Sequence, residues 1–203
     1  VMEYIDGQPI DNLLDLTHVA YVHKRTIAGD PREATTPTKT ERVENGIRNG
    51  RWMIDFLPPP LFAKAGGFTS NVDRWQQVTW KAPATVYLDV GCAKTGTGAP
   101  HGDRSQGISI WSTHLTTPET ETSTHYFFCF ARNFKLGDEA MSKLLYEGSK
   151  VTFMEDLEVL ERQQQNVAGG SIEGLLDIQN DAAQLQMRRM MRQMTVAEGG
   201  AAA

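Results

Sequence analysis

The stretch RWQQVTWKAPATVYLDV, residues 74–90, contains two runs rich in Val, Thr, Tyr and Trp that flank the turn-forming segment Ala-Pro-Ala. Residues of these types favour strands and Pro interrupts them, so we predict strands at Arg74–Lys81 and Thr85–Val90. Two further runs of the same character are Gly107–Leu115 (GISIWSTHL) and Thr124–Ala131 (THYFFCFA). Their spacing is typical of an antiparallel sheet.

The sequence before these strands predicts a β-hairpin. Thr38–Asp55 has the Thr, Val, Ile and Trp content of two strands, with a turn at either Asn45-Gly46 or Asn49-Gly50. Because Asn-Gly occurs twice, the register of the hairpin stays open. Val1–Pro9 alternates weakly and predicts a short strand, whereas Gly91–Gln106 predicts a loop.

Helical patterns follow the strands. Asp138–Val167 has the 3.6-residue period of an amphipathic helix, Gly169-Gly170 predicts its end, and Asp181–Met194 predicts a last helix. The apolar stripe of the long helix comprises Met141, Leu144, Leu145, Val151, Met154, Leu157 and Leu160. Strands followed by helices, without βαβ alternation, indicate an α+β fold in which a curved antiparallel sheet wraps around the long C-terminal helix.

Composition limits the class of protein. A chain of 203 residues that is 40% hydrophobic can bury one full core, so we assign residues 1–203 to a single domain. The net charge of -5 gives no basic face for nucleic acid or an anionic membrane. Cys92 and Cys129 are too few for a disulfide scaffold or a zinc ribbon, and Val1–Ile10 lacks the basic start of a signal peptide. These features predict a cytoplasmic protein.

The stretch DNLLDLTHVAYVH, residues 11–23, places polar groups within an apolar helical pattern that we predict as a helix over Ile10–Lys24. Buried polar groups are costly when unpaired, so Asp15, His18 and His23 need partners, and a metal ion would supply one. On a straight helix the two histidines lie about 140° apart, too far to share a metal. We therefore predict that the helix is bent, widened or ending between them; histidines satisfied within the core are the alternative.

A third ligand is needed to complete such a site. Asp156 is the first candidate because it lies among apolar residues in VTFMEDLEVLERQQQ, residues 151–165, and Glu155 is the competing choice. Two imidazoles and one carboxylate, with open positions, suit non-haem Fe(II). An ordinary solvated acidic face is the alternative.

Three separated segments carry a resemblance to a known family. Residues 12–23 (NLLDLTHVAYVH), 113–134 (THLTTPETETSTHYFFCFARNF) and 155–164 (EDLEVLERQQ) together resemble the catalytic domain of Rieske-type non-haem iron oxygenases. They are most similar to the subgroup that includes vanillate O-demethylase and dicamba monooxygenase. The resemblance extends from Tyr4 to about Met194 and implies a helix-grip, START-like fold.

The resemblance also implies roles for individual residues. His18, His23 and Asp156 match the iron ligands, and Asp15 matches the bridging carboxylate that links the iron to the Rieske cluster of a neighbouring subunit. Such proteins use Fe(II) and O2, and they form homotrimers.

Other matches concern the surroundings of the iron. Asn12 matches a residue close to the metal, and we count it with Asp15 among the catalytic residues. His114 matches a position that lines the substrate pocket and hydrogen-bonds a substrate oxygen. His125 has no counterpart, so we predict that it is satisfied within the core. Aromatic side chains that could line the cavity are Trp111, Phe127 and Phe128.

One element of the family is absent from the sequence. A Rieske [2Fe-2S] cluster takes two Cys and two His, and neither Cys92 nor Cys129 has a histidine two or three residues away. We therefore expect the cluster on an N-terminal domain that this sequence does not include; a domain that works without the cluster is the alternative. Electrons would come from NAD(P)H through a ferredoxin or reductase partner.

The resemblance thus implies an oxygenase that hydroxylates or O-demethylates a small aromatic substrate of the vanillate-like methoxybenzoate class. Hydroxylation of a methoxy carbon would give a hemiacetal that breaks down to formaldehyde and a phenol. Two alternatives remain, a non-catalytic binding module for an aromatic or lipid ligand and a zinc hydrolase that uses the same ligands.

Overall fold

A single antiparallel sheet organises the fold. The computed structural model describes residues 8–120, 123–168 and 177–199. Within them, six strands lie side by side in chain order. They are β1 (Lys39–Val43), β2 (Gly46–Phe56), β3 (Val72–Lys81), β4 (Thr85–Lys94), β5 (Ile108–Pro118) and β6 (Thr124–Arg132). The predicted α+β class, with a curved sheet and a C-terminal helix, is confirmed.

The first hairpin settles the choice between the two Asn-Gly pairs. Val43 pairs with Gly46, and Asn45 between the strands has a positive φ of 51°, which Asn tolerates better than most residues. The turn at Asn45-Gly46 is therefore confirmed. Asn49-Gly50 lies inside β2, so the alternative turn is wrong.

The predicted loop over residues 91–106 is partly wrong because β4 continues to Lys94. Gly91 makes this extension possible. A Cβ atom at Gly91 would lie 2.1 Å from the Trp75 ring and 2.4 Å from the backbone oxygen of Ile108, so only glycine lets the indole pack against this strand.

Five α-helices accompany the sheet in the described residues: α1 (Gln8–Leu14), α2 (Val19–Val22), α3 (Pro60–Gly66), α4 (Glu139–Ala168) and α5 (Ala182–Ala197). The predicted long and final helices are confirmed. The predicted opening helix is divided into α1 and α2. Gln8 and Pro9 begin a helix, which contradicts the predicted first strand there. The rest of that strand and the Gly169-Gly170 stop lie outside the described residues.

The inner face of the sheet packs against α3 and α4. The buried hydrophobic cluster between them contains Phe62, Ala65, Val72, Cys92, Ile108, Ile110, Met141 and Leu145. Gly148 allows the α3 side chain of Leu61 to approach α4 within 2.7 Å of an ideal Cβ position. A second cluster joins α1 and α5 to the sheet through residues that include Leu14, Trp80 and Met187.

Two residues of the apolar stripe predicted for α4 do not face the core. Val151 and Met154 are 51% and 53% exposed. They lie about 100° and 160° around the helix from the buried Thr152, so they point away from the sheet. Hydropathy alone could not show this because both side chains are apolar.

None of the described helices combines the length and apolar character required to cross a lipid bilayer.

Candidate metal centre

A break in the opening helix creates the site. α1 ends at Leu14 and α2 is a single turn, with His18 at its N-cap position and His23 at its C-cap position. The predicted ending of the helix between the two histidines is therefore confirmed. The additional interruption at residues 15–18 was not predicted, and together the two irregularities bring the imidazole centroids within 5.1 Å.

Asp156 on α4 completes a group of three potential ligands. The Nε2 atoms of His18 and His23 are 3.2 Å apart. Asp156 Oδ1 lies 3.0 Å from Nε2 of His23 and 3.5 Å from Nε2 of His18. All three ligand atoms lie within 4.8 Å of one another, so one ion could contact all three residues.

The other nitrogen of each imidazole has an acceptor. His18 Nδ1 lies 2.5 Å from the backbone oxygen of Asp15, and His23 Nδ1 lies 3.0 Å from Glu155 Oε2. A carbonyl or carboxylate oxygen can only accept, so Nδ1 of each ring carries the proton. When both rings are neutral, their Nε2 lone pairs therefore point toward each other and toward a carboxylate oxygen. Either a proton on His23 or a metal ion would satisfy these three acceptors, and the donor set fits a divalent metal.

Glu155, the competing candidate for the third ligand, takes a different position. Its Oε2 accepts from His23 Nδ1 and, at 2.8 Å, from the hydroxyl of Thr26. Glu155 thus orients His23 from behind, in the arrangement by which carboxylates commonly support metal-binding histidines.

Burial and charge affect the two histidines differently. Burial lowers the pKa of His18 despite the charges of Asp156 and Asp15. Burial also opposes charge on His23, but hydrogen bonds and charges from Asp156 and Glu155 outweigh it and raise the pKa of His23. His18 is therefore available as a neutral ligand, whereas a proton competes with a metal at His23.

Asp15 and Asn12 both lie beside the three candidate ligands. Asp15 Oδ1 accepts from the backbone N and the hydroxyl of Thr17 at 2.7 Å and 2.5 Å. Its Oδ2 lies 3.8 Å from His18 Nδ1, and its side chain is 28% exposed. Asn12 Nδ2 donates to Asp156 Oδ1 at 3.2 Å. Asp15 therefore occupies an accessible edge, while Asn12 contacts a candidate ligand directly.

His114 is a buried neighbour whose ring nitrogens are both engaged. Its Nδ1 lies 2.6 Å from the hydroxyl of Tyr126 and its Nε2 lies 2.8 Å from the hydroxyl of Ser112. Burial lowers the pKa of His114 to about 4, and Asp156 partly opposes this. Phe153, one turn before Asp156, packs edge-on against the ring. Contact between His114 and a substrate oxygen would require exchange of one present partner.

Tyr126 and Ser112, the partners of His114, were not among the predicted site residues. The two-residue period of β5 places Ser112 on the same face as His114, which was the available signal. Tyr126 is recognisable only from the pairing of β5 with β6, where Thr116 pairs with Tyr126.

The aromatic residues of β5 and β6 divide between the two faces of the sheet. Phe128 packs against Phe153 at 4.6 Å between centroids. Trp111 and Phe127 are 41% and 56% exposed on the opposite face, so the prediction that they line the cavity is wrong. His125 is only partly buried, with 41% of its side chain exposed, and lies 3.4 Å from Glu119, which contradicts its predicted place in the core.

Known oxygenase components are similar to this chain in sequence. Residues 8–197 match the vanillate O-demethylase oxygenase C-terminal domain. A putative toluene-4-sulfonate monooxygenase system iron-sulfur subunit of Comamonas testosteroni is 38% identical over 198 residues, which are 96% of this chain and 57% of that protein. A vanillate O-demethylase oxygenase subunit of a Pseudomonas species is 36% identical over 202 residues, or 96% and 60% of the two chains. The chain therefore spans less than two thirds of these relatives.

A solved structure has the same fold. Dicamba monooxygenase bound to 3,6-dichlorosalicylic acid superposes with a TM-score of 0.87 and 26% sequence identity. The match covers 98% of this chain and 58% of that one.

Proposed function

The chain belongs to the vanillate O-demethylase oxygenase C-terminal domain family, and on that basis we propose that it is the catalytic domain of a Rieske-type non-haem iron oxygenase. The convergence of His18 Nε2, His23 Nε2 and Asp156 Oδ1 within 4.8 Å carries this proposal. Two imidazoles and one carboxylate are the ligands typical of Fe(II) oxygenases.

Each residue of the centre has a proposed role. His18, His23 and Asp156 hold Fe(II), which when bound supplies the reductive activation of O2. Asn12 restrains Asp156 by its hydrogen bond. Asp15 is the carboxylate on the electron path, a role supported by its exposed edge and its place beside His18.

The proposed substrate is a small aromatic compound of the vanillate-like methoxybenzoate class. The ring cluster of His114, Phe128 and Phe153 supports an apolar pocket, and His114 or its partners would orient a substrate oxygen. Such a pocket excludes water and holds the target carbon in place. Hydroxylation of a methoxy carbon then yields formaldehyde and a phenol.

The electrons would come from a [2Fe-2S] Rieske cluster carried on a separate N-terminal domain. The description of a relative as an iron-sulfur subunit and the greater length of that relative support this proposal. NAD(P)H, through a reductase, is the proposed source of reducing equivalents, and a homotrimer is the proposed assembly.

Iron content tests the ligand assignment. After anaerobic reconstitution with Fe(II) and desalting, the wild-type chain should retain about one iron, while His18→Ala and Asp156→Ala should retain little, because two ligands hold a metal weakly. Asp15→Ala is the matched control and should keep its iron, since Asp15 is outside the ligand set. Stoichiometric iron in either ligand variant would refute its assignment.

The same measurement separates the alternatives. A binding module with structural histidines would retain no metal. A zinc hydrolase would select zinc from an equimolar mixture under anaerobic conditions and would act without a reductant.

A further inference from the structure

The break in the opening helix leaves three successive carbonyl groups to be satisfied. In an unbroken α-helix the carbonyls of Leu14, Asp15 and Leu16 would accept from the backbone N–H groups four residues later. Here each accepts from a side chain. His18 Nδ1 donates to Asp15, while the donors to Leu14 and Leu16 come from the sheet.

Two residues of β2 supply those donors. Asn49 Nδ2 donates to the carbonyl of Leu14 at 2.8 Å, and Arg51 Nη2 donates to that of Leu16 at 2.8 Å. Asn49 is fully buried and Arg51 is 3% exposed. Because β2 residues of odd number share the inner face, both donors point toward the same segment.

Further bonds hold the two donors in place. Arg51 Nη1 donates to the carbonyl of Glu33 at 2.7 Å and its Nε to Gln76 Oε1 at 2.8 Å. Asn49 Oδ1 accepts from the hydroxyl of Thr40 at 3.2 Å. The planar guanidinium thus makes three directed bonds, and its position is fixed by groups remote from the histidines.

We propose that Asn49 and Arg51 are positioning residues of the metal centre. By binding the carbonyls of Leu14 and Leu16, they keep the helix open. The carbonyl of Asp15, held between them, then stays available to His18 Nδ1–H and directs His18 Nε2 toward Asp156. The role in metal binding rests on the function proposed above; the effect on His18 does not.

The first experiment determines the tautomer of the His18 imidazole in the metal-free chain. Long-range ¹H–¹⁵N correlation NMR shows which ring nitrogen carries the proton, and His18→Ala assigns the signal. The wild-type chain should show the Nδ1–H form. Asn49→Leu, which keeps the side-chain shape, and Arg51→Met, which keeps the stem, should each shift His18 to a mixture of forms.

The second experiment measures Co(II) binding by visible absorption. Loss of a group that orients a metal-binding histidine typically lowers affinity by about 10- to 100-fold. Both variants should show a loss of this size and an altered Co(II) spectrum. Arg51→Lys retains a donor and should give a smaller change, which covers the case in which Arg51→Met does not fold.

Arg104→Met is the control, because it removes a partly buried arginine from the opposite face of the sheet. Arg104 pairs with Asp89 and stacks on Trp75, so its loss should lower stability and leave the His18 signal and the Co(II) spectrum unchanged.

Folded Asn49→Leu and Arg51→Met chains with wild-type His18 tautomer, Co(II) affinity and spectrum would overturn the proposal. A wild-type chain that bound no Co(II) would instead contradict the proposed function, and the tautomer measurement would still decide the role of the two residues.

Discussion

At His23, one imidazole lies between two carboxylates, Asp156 at Nε2 and Glu155 at Nδ1. The two acids are neighbours in sequence but differ in what they can do. Asp156 faces the point where all three ligand atoms converge, whereas Glu155 also accepts from Thr26. The residue that supports His23 is therefore distinguishable from the residue that would bind the metal.

This difference predicts the behaviour of Glu155→Gln. The amide oxygen can still accept from His23, but without the negative charge, so His23 becomes a weaker ligand. We expect metal affinity to fall by about tenfold, at the lower end of the usual range for such partners, as measured by competition with a chromophoric chelator. Glu158→Gln is the control because Glu158 pairs with Arg162 in solvent. If Glu158→Gln lost more metal affinity than Glu155→Gln, the role of Glu155 as the support of His23 would be contradicted.

His114 should make stability depend on pH. The pKa of His114 is about 4 in the folded chain, against an ordinary value of 6.5, so the unfolded chain binds this proton first as pH falls. The free energy of unfolding should therefore decrease from pH 6.5 to pH 4, by up to about 3 kcal/mol from this residue. Urea unfolding of His114→Gln should show a flatter pH profile. The partly exposed His125→Gln should keep the wild-type slope, and an unchanged slope in His114→Gln would refute the assignment.

Sequence patterns could identify the residue types of the centre but not the role of each residue. His18, His23 and an acid at position 155 or 156 are recognisable because polar groups in apolar helices need partners. Glu155 could not be separated from Asp156, since both lie on one helix at adjacent positions, and only the contacts with His23 and Thr26 distinguish them.

At the scale of elements, α4 presents one face to the sheet and another to solvent. Leu145 is 6% exposed within the core cluster, while Val151 is 51% exposed. Leu145→Ala should lower the free energy of unfolding by about 2–5 kcal/mol, because it removes buried methyl groups and leaves a cavity. Val151→Ala should change it by less than about 0.5 kcal/mol. Urea denaturation measures both, and equal losses would contradict this orientation of α4.

The predicted elements were most accurate where the pattern is local. β3, β5 and β6 follow from local runs of β-branched and aromatic residues, and α4 follows from its 3.6-residue period. The break between α1 and α2 depends instead on Asn49 and Arg51, each 35 residues from its carbonyl partner. No window over the opening helix could contain that information.

At the scale of the whole molecule, buried polar contacts tie the N-terminal segment to the sheet. Arg74 donates to Glu33 Oε1 at 2.5 Å and to the carbonyl of Ile27 at 2.7 Å, with both charged side chains buried. Breaking a buried ion pair by removing one partner is costly. The segment that carries both histidines is therefore anchored on both sides. Arg74 of β3 binds it after His23, and Asn49 and Arg51 of β2 bind it before His18.

The distance along the chain between the parts of the centre has a consequence for biosynthesis. Glu155 follows His23 by 132 residues, and Asp156 follows Asn12 by 144. At a translation rate of about 5–20 residues per second, roughly ten seconds separate the two ends of the site. All six strands leave the ribosome in that interval, while the histidines still lack their carboxylate. On the proposed function, the metal would therefore bind late, after α4 has emerged and docked.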